Sequence, residues 1–98
     1  ETTLDRDMKK QSILNKLNAS FSEMAGLAAQ VDIYEQATQN FGKLARGENI
    51  RFQAGESTLF MVNARENKLL ESQQKLIDLK TKYQKSKLTV LWAAGLLR

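Results

Sequence analysis

The residue types that carry most enzyme and metal chemistry are scarce in this sequence. Its 98 residues include no His and no Cys, which excludes zinc-finger ligands, thiol chemistry, disulfides and Ser-His-Asp triads. The 11 Asp and Glu residues are scattered, and no pair of them stands where a pocket could desolvate a carboxylic acid. We therefore predict that the protein is not an enzyme and that it uses no metal or cofactor.

Four lysines form the densest group of charge in a chain of net charge +4. Lys80, Lys82, Lys85 and Lys87 could in principle bind nucleic acid or an anionic lipid surface. On an ideal helix, however, they point in directions of about 0°, 200°, 140° and 340°, so they form no single stripe. We interpret them as a solvated helix face and predict no nucleic-acid partner.

The segment with the most unusual content lies near the middle of the chain. Leu59, Phe60, Met61 and Val62 are consecutive apolar residues that closely follow Gly55. They could pack locally against the turn, or they could form a docking or assembly surface. We favour a docking surface, since an unpartnered turn should be polar.

Long helices must position this segment. The sequence has no Pro, and Pro is excluded from helix interiors. In the first half, apolar residues recur three or four positions apart, which is typical of an amphipathic helix with a coiled-coil seam. That seam is predicted at Leu14, Leu17, Phe21, Met24, Ala28, Val31, Tyr34, Phe41 and either Leu44 or Ala45.

The second half repeats the pattern with a less apolar seam. One row of apolar residues has a spacing of seven: Val62, Leu69, Leu76, Tyr83 and Val90. The alternate seam positions are predicted to be the polar residues Glu66, Gln73, Lys80 and Lys87. A half-polar seam suits the wall of a larger bundle with one wet face better than an isolated two-stranded coil.

A short turn joins the two patterns. Gly55 can adopt the left-handed conformation that ends a helix, and Ser57 is predicted to cap the next one. A connection this short makes the helices antiparallel neighbours. We predict an all-α, coiled-coil-like hairpin in one domain over residues 1–98, with a helix at about 3–52, a tip turn at about 53–57 and a helix at about 58–96.

The segment from Phe52 to Ala64 resembles the inner-hairpin tip of TolC-type outer-membrane efflux proteins. The shared pattern is an aromatic residue, two further residues, Gly, a short polar turn, and an apolar stretch that runs into Leu-Asp-Ala. The resemblance continues downstream through residues 65–73, Tyr83 and 91–95, and upstream in residues 34–37 and Phe41. It covers about residues 31–95.

The resemblance implies a fragment of a trimeric periplasmic α-barrel, the tunnel of an efflux or secretion channel in the cell outer membrane. This part would be periplasmic, the parent would be a homotrimer, and only parts of the parent outside this sequence would contact the membrane. The tip would dock a periplasmic adaptor (membrane fusion) protein. The residues that face the adaptor would be Phe52, Gly55, Glu56, Ser57 and Thr58.

The resemblance also assigns the pore-entrance positions to Met61, Asn63 and Ala64. Asn63 stands where the family has the Asp of Leu-Asp-Ala, so no charged constriction is implied there. A half-polar seam is what a helix lining a water-filled conduit should show. The alternative is a partner-binding coiled-coil hairpin, an adaptor or a scaffold, with no conduit role; it should have apolar residues at both seam positions.

Overall fold

The structure is a computed structural model that describes residues 2–96. Helix α1 spans Thr3–Gln53 and helix α2 spans Leu59–Gly95, and no strand occurs among the described residues. The all-α prediction is confirmed. Each helix begins and ends within one residue of the position expected from the sequence.

A hydroxyl side chain starts α1. The Thr2 Oγ1 atom accepts a hydrogen bond from the Asp5 amide at 3.1 Å, and the Thr2 carbonyl accepts one from the Arg6 amide. These bonds satisfy amides that have no partner inside the helix. Asp5 lies in the first turn, where a negative charge interacts favourably with the helix dipole.

The chain divides into two compact units, and each is described by itself. The first combines residues 1–29 with 81–98. In its described part, Leu17, Met24 and Leu27 of α1 are half-buried, and Ser86 and Ala93 of α2 are buried. The Ser86 hydroxyl donates to the carbonyl of Ser20 at 3.4 Å, so a polar contact joins the two helices.

The second unit, residues 30–80, contains the turn and the helical segments on either side of it. These segments form an antiparallel hairpin. Its buried apolar residues are Ala45, Val62 and Leu79. The hydroxyls of Thr38 and Ser72 share a hydrogen bond of 2.5 Å across the seam. Small side chains at such positions allow two helices to approach closely.

The predicted seam of α2 is half correct. The row Val62, Leu69, Leu76, Tyr83 and Val90 is buried or half-buried. The predicted alternate positions Glu66, Gln73, Lys80 and Lys87 are exposed, and that prediction is wrong. The residues one position earlier face the seam instead, because a heptad seam steps by three and then by four: Arg65, Ser72, Leu79 and Ser86. The same row continues at Ala93, which is buried.

The seam of α1 follows the same alternation of three and four positions, so part of its prediction is also wrong. Phe21 and Ala28 were predicted in the seam but are exposed, while Ser20 and Leu27 are half-buried. The sequence did not decide whether Leu44 or Ala45 lies in the seam. In the structure Ala45 is buried and Leu44 is exposed. Apolar character alone favours Phe over Ser, whereas the periodicity of the packed helix places Ser20 inside.

Candidate docking site at the turn

Gly55 ends α1 in the conformation predicted for it. Its φ of 79° lies in the left-handed region. The Glu56 amide donates to the Arg51 carbonyl at 2.8 Å, and the Gly55 amide donates to the Phe52 carbonyl at 3.0 Å. This pair of bonds is the Schellman motif, which satisfies two carbonyls that would otherwise lack partners at the helix end.

Thr58, not Ser57, caps α2. The Thr58 Oγ1 atom accepts a hydrogen bond from the Met61 amide at 3.2 Å, and the Thr58 carbonyl accepts one from the Val62 amide. The prediction that Ser57 is the cap is therefore wrong. Helix α2 begins one residue later than a Ser57 cap would require, so Thr58 occupies the cap position.

Ser57 serves a different purpose. Its hydroxyl hydrogen-bonds to the side chain of Glu48 on α1, and Glu48 is only 3% exposed. Arg51 Nη1 lies 3.3 Å from one Glu48 oxygen, and Arg65 Nε lies 3.5 Å from the other. We call Glu48, Arg51, Ser57 and Arg65 the tip clasp, since it joins both helices and the turn.

The tip clasp favours the ionised form of Glu48. The Ser57 hydrogen bond is the largest influence that lowers the pKa of Glu48 below its ordinary value, and burial opposes it. The guanidinium groups of Arg51 and Arg65 lower that pKa further. Arg51 also donates from Nη2 to the carbonyl of Glu56 at 3.3 Å, which fixes the turn itself.

Sequence reasoning missed the tip clasp. Glu48 and Arg65 occupy seam positions, where a search for apolar residues passes over them. A usable signal was present, because the two residues carry opposite charge and are equally far from the middle of the turn, between Glu56 and Ser57. Two seam residues of opposite charge on either side of a short turn are therefore candidates for an ion pair between the two helices.

The predicted apolar surface at the turn is exposed for three of its four residues. Phe60 is 79% exposed, and Leu59 and Met61 are also exposed, while Val62 is buried. Of the two uses considered for these four residues, local packing within this chain applies to Val62 alone. Together with exposed Phe52, the other three residues define what we call the tip surface: Phe52, Leu59, Phe60 and Met61.

The polar residues assigned to adaptor docking lie in the same turn. Gly55, Glu56 and Thr58 are exposed and Ser57 is half-buried by its contact with Glu48. A Cβ atom built on Gly55 meets no other atom within 4 Å, so the space around this backbone is open. Asn63 and Ala64, two of the positions assigned to a pore entrance, are exposed on the first turns of α2.

The four lysines of the charged group are not arranged as one site. Lys80 Nζ pairs with Glu35 Oε1 at 3.4 Å in the second unit. Lys82 and Lys85 line a shallow hollow of the first unit together with Ser20 and Glu23. Within residues 2–96, no group of three or more acidic residues is placed to hold a metal ion. No described helix is both long and apolar enough to cross a membrane.

Comparison with known proteins gives no relative for this chain. No family model, no curated protein and no solved structure matches it.

Proposed function

We propose that the turn end of the second unit is a docking site for a partner protein. We further propose that a longer parent uses it as the tip of a periplasmic tunnel, in a trimeric efflux or secretion channel of the cell outer membrane. The observation that carries docking is the tip surface. Three consecutive large apolar residues are exposed beside a turn that is held by hydrogen bonds and ion pairs.

The tip clasp makes this surface suitable for binding. Association loses affinity when flexible side chains and loops must be ordered. Here the Schellman motif, the Thr58 cap and the bonds to Glu48 already hold the backbone on both sides of the turn. The ordering cost at the turn is therefore small before a partner arrives.

The open space at Gly55 indicates what kind of partner fits. A residue without a side chain lets another backbone approach closely, and nothing surrounds the missing Cβ position. A partner that presents a narrow end, such as the tip of another helical hairpin, could contact Gly55 and bury Leu59 and Phe60 at once. We propose that a periplasmic adaptor protein contacts the turn in this way.

The channel context rests on the resemblance of residues 31–95 to TolC-type proteins. The exposed row Glu66, Gln73, Lys80 and Lys87 could line a water-filled conduit. In this proposal the chain itself performs no catalysis, and its work is done by shape and docking.

A partner-binding scaffold without a conduit role is the second candidate, and one observation favours it. The alternate seam positions of α2 are turned inward and are buried at Ser72, Leu79, Ser86 and Ala93, of which Leu79 and Ala93 are apolar. This seam therefore needs no wet face. A hairpin that packs along its own seam can bind partners through its tip alone.

Site-specific photo-crosslinking in the full-length parent, in its own cells, tests the proposal. The photoreactive residue replaces Glu56, which is exposed in the turn, and the control replaces Asn40, which is exposed on α1 of the same unit. Captured proteins are identified by mass spectrometry. We expect a periplasmic adaptor to be captured from position 56 and not from position 40.

Two other outcomes would contradict parts of the proposal. Capture of only cytoplasmic proteins from position 56 would reject the channel and leave the scaffold. Equal capture from positions 56 and 40 would reject the turn as the docking site.

A further inference from the structure

A second apolar row runs along the outside of α2 in the second unit. Leu70 and Ile77 are 61% and 58% exposed. Each follows a seam residue by one position, which turns it about 100° around the helix. Glu66, Gln73 and Lys80 flank this row and are exposed as well. None of these residues belongs to the tip surface, so a role for this row goes beyond the proposed docking function. A contact here would cover Glu66, Gln73 and Lys80, so it rests on the scaffold candidate and excludes the conduit role proposed for those residues.

We propose that this row binds a second copy of the chain, with the two α2 helices antiparallel about a two-fold axis between Gln73 and Gln74. In a contact with two-fold symmetry, residue i of one copy meets residue j of the other, and j meets i. An axis between Gln73 and Gln74 places Leu70 opposite Ile77 of the second copy, because the two residues are equally far from it. The same axis places Ile77 opposite the second copy's Leu70, so all four apolar side chains are buried together.

The charges beside the row fit the same axis. Glu66 and Lys80 are centred on Gln73, one half-position from this axis, so the two charges are offset by one residue, or about 1.5 Å along the helix. Antiparallel packing therefore brings Glu66 of each copy to Lys80 of the other, which forms two pairs of opposite charge. Parallel packing in register would bring Glu66 to Glu66 and Lys80 to Lys80. Like charges held close together are unfavourable, so the charge pattern selects the antiparallel arrangement.

Lys80 can serve both its own chain and the second copy. Its ammonium group pairs with Glu35 at 3.4 Å, and an ammonium group has three donors. On the opposite side of the row, Asn67 and Gln74 are uncharged and exposed. The proposed axis brings no like charges of α2 together on that side.

Cysteine cross-linking tests the axis directly, because the chain has no Cys of its own. Gln73→Cys should form a disulfide-linked dimer under mild oxidation, since the two copies of this position lie next to the axis. Lys80→Cys should not cross-link to itself, because its two copies would lie about 20 Å apart along the helix. A mixture of Glu66→Cys and Lys80→Cys chains should cross-link.

A variant of the apolar row shows whether the cross-link reports this surface. In the Gln73→Cys background, Leu70→Ser with Ile77→Ser should weaken dimerisation by about tenfold or more. The matched control is Leu4→Ser, an exposed apolar residue of the first unit, which should leave cross-linking unchanged. Circular dichroism verifies that every variant keeps its helical content.

Three results would overturn the proposal. Equal self-cross-linking of single cysteines at positions 66, 73 and 80 would indicate a parallel contact. Cross-linking that survives the double serine substitution would place the contact elsewhere. No cross-link at any of these positions, with a monomer in sedimentation equilibrium at millimolar concentration, would mean that the row does not bind a second copy.

Discussion

Arg65 on α2 reaches back across the turn to Glu48 on α1. Its Nε atom lies 3.5 Å from Glu48 Oε1, and Glu48 is buried while Arg65 remains in contact with solvent. A buried carboxylate without partners would be strongly destabilising, so the pair depends on both members. The contact connects the last turns of α1 to the first turns of α2 and so sets the geometry of the tip surface.

Glu48→Gln should destabilise the second unit. The amide keeps the size of the side chain but loses the charge that Arg51 and Arg65 contact. Glu71→Gln is the matched control, because Glu71 lies in the same unit and its ion pair with Lys68 is exposed, and exposed pairs contribute little. We expect urea denaturation to show a lower midpoint for Glu48→Gln and little change for Glu71→Gln. Equal midpoints for the two variants would mean that the tip clasp does not stabilise the fold.

The contribution of Glu48 to stability should disappear in acid. Its pKa in the folded state lies below the ordinary value of 4.5, so the unfolded state takes up a proton first as the pH falls. The contribution is therefore complete above pH 4.5 and is lost as the pH falls through the folded-state pKa. The difference in unfolding free energy between the native chain and Glu48→Gln should be constant near neutral pH and should shrink below pH 4.5.

The features that local chemistry controls were predictable from the sequence. Both helices and the left-handed Gly55 follow from the absence of Pro, the apolar spacing and the special freedom of Gly. The choice between Ser57 and Thr58 as the cap was not predictable. It depends on a shift of one residue in where α2 begins, and capping preference ranks Ser above Thr and so favoured Ser57.

Which residues of each helix face the seam was a second feature that the sequence did not fully predict. Along α2, the row that begins at Val62 was identified because its members are large and apolar. The alternate row contains Arg65, Ser72 and Ser86, and nothing in their side chains identifies them as seam residues. Only the packing of α1 against α2 shows that these positions face inward. The tip clasp was hidden for the same reason.

Removing the cap of α2 should have a measurable effect on stability. Thr58→Ala deletes the hydroxyl that accepts from the Met61 amide, and such a deletion costs about 1 kcal/mol. Thr58→Ser keeps the hydroxyl and should remain close to the native chain. The comparison is made by urea denaturation at neutral pH. A Thr58→Ala chain as stable as Thr58→Ser would show that another group caps the helix.

Two glycines should respond to alanine in opposite directions. Gly55 has positive φ, a conformation that is unfavourable for alanine by about 1–2 kcal/mol. Gly47 lies inside α1, where a Cβ atom meets nothing within 4 Å, and alanine should stabilise it by about 0.5–1 kcal/mol. Thermal melting of Gly55→Ala and Gly47→Ala should therefore shift in opposite directions. A rise in the melting temperature of Gly55→Ala would contradict the strain assigned to this turn.

A substitution at Phe60 should weaken partner docking without changing the stability of the fold. This side chain is the most exposed of the tip surface, so Phe60→Ser removes apolar binding area without opening a cavity. Substitutions at such sites usually change stability by less than about 0.5 kcal/mol. We expect an unchanged denaturation midpoint together with reduced capture of the partner by a photoreactive residue at position 56.

Val62→Ser provides the opposite control, because Val62 is buried in the seam. It should lower stability, since it removes apolar burial and places a hydroxyl in the seam. If Phe60→Ser left partner capture intact while Val62→Ser reduced it, capture would depend on the integrity of the fold and not on the tip surface. The exposed apolar residues at the turn would then have no part in docking.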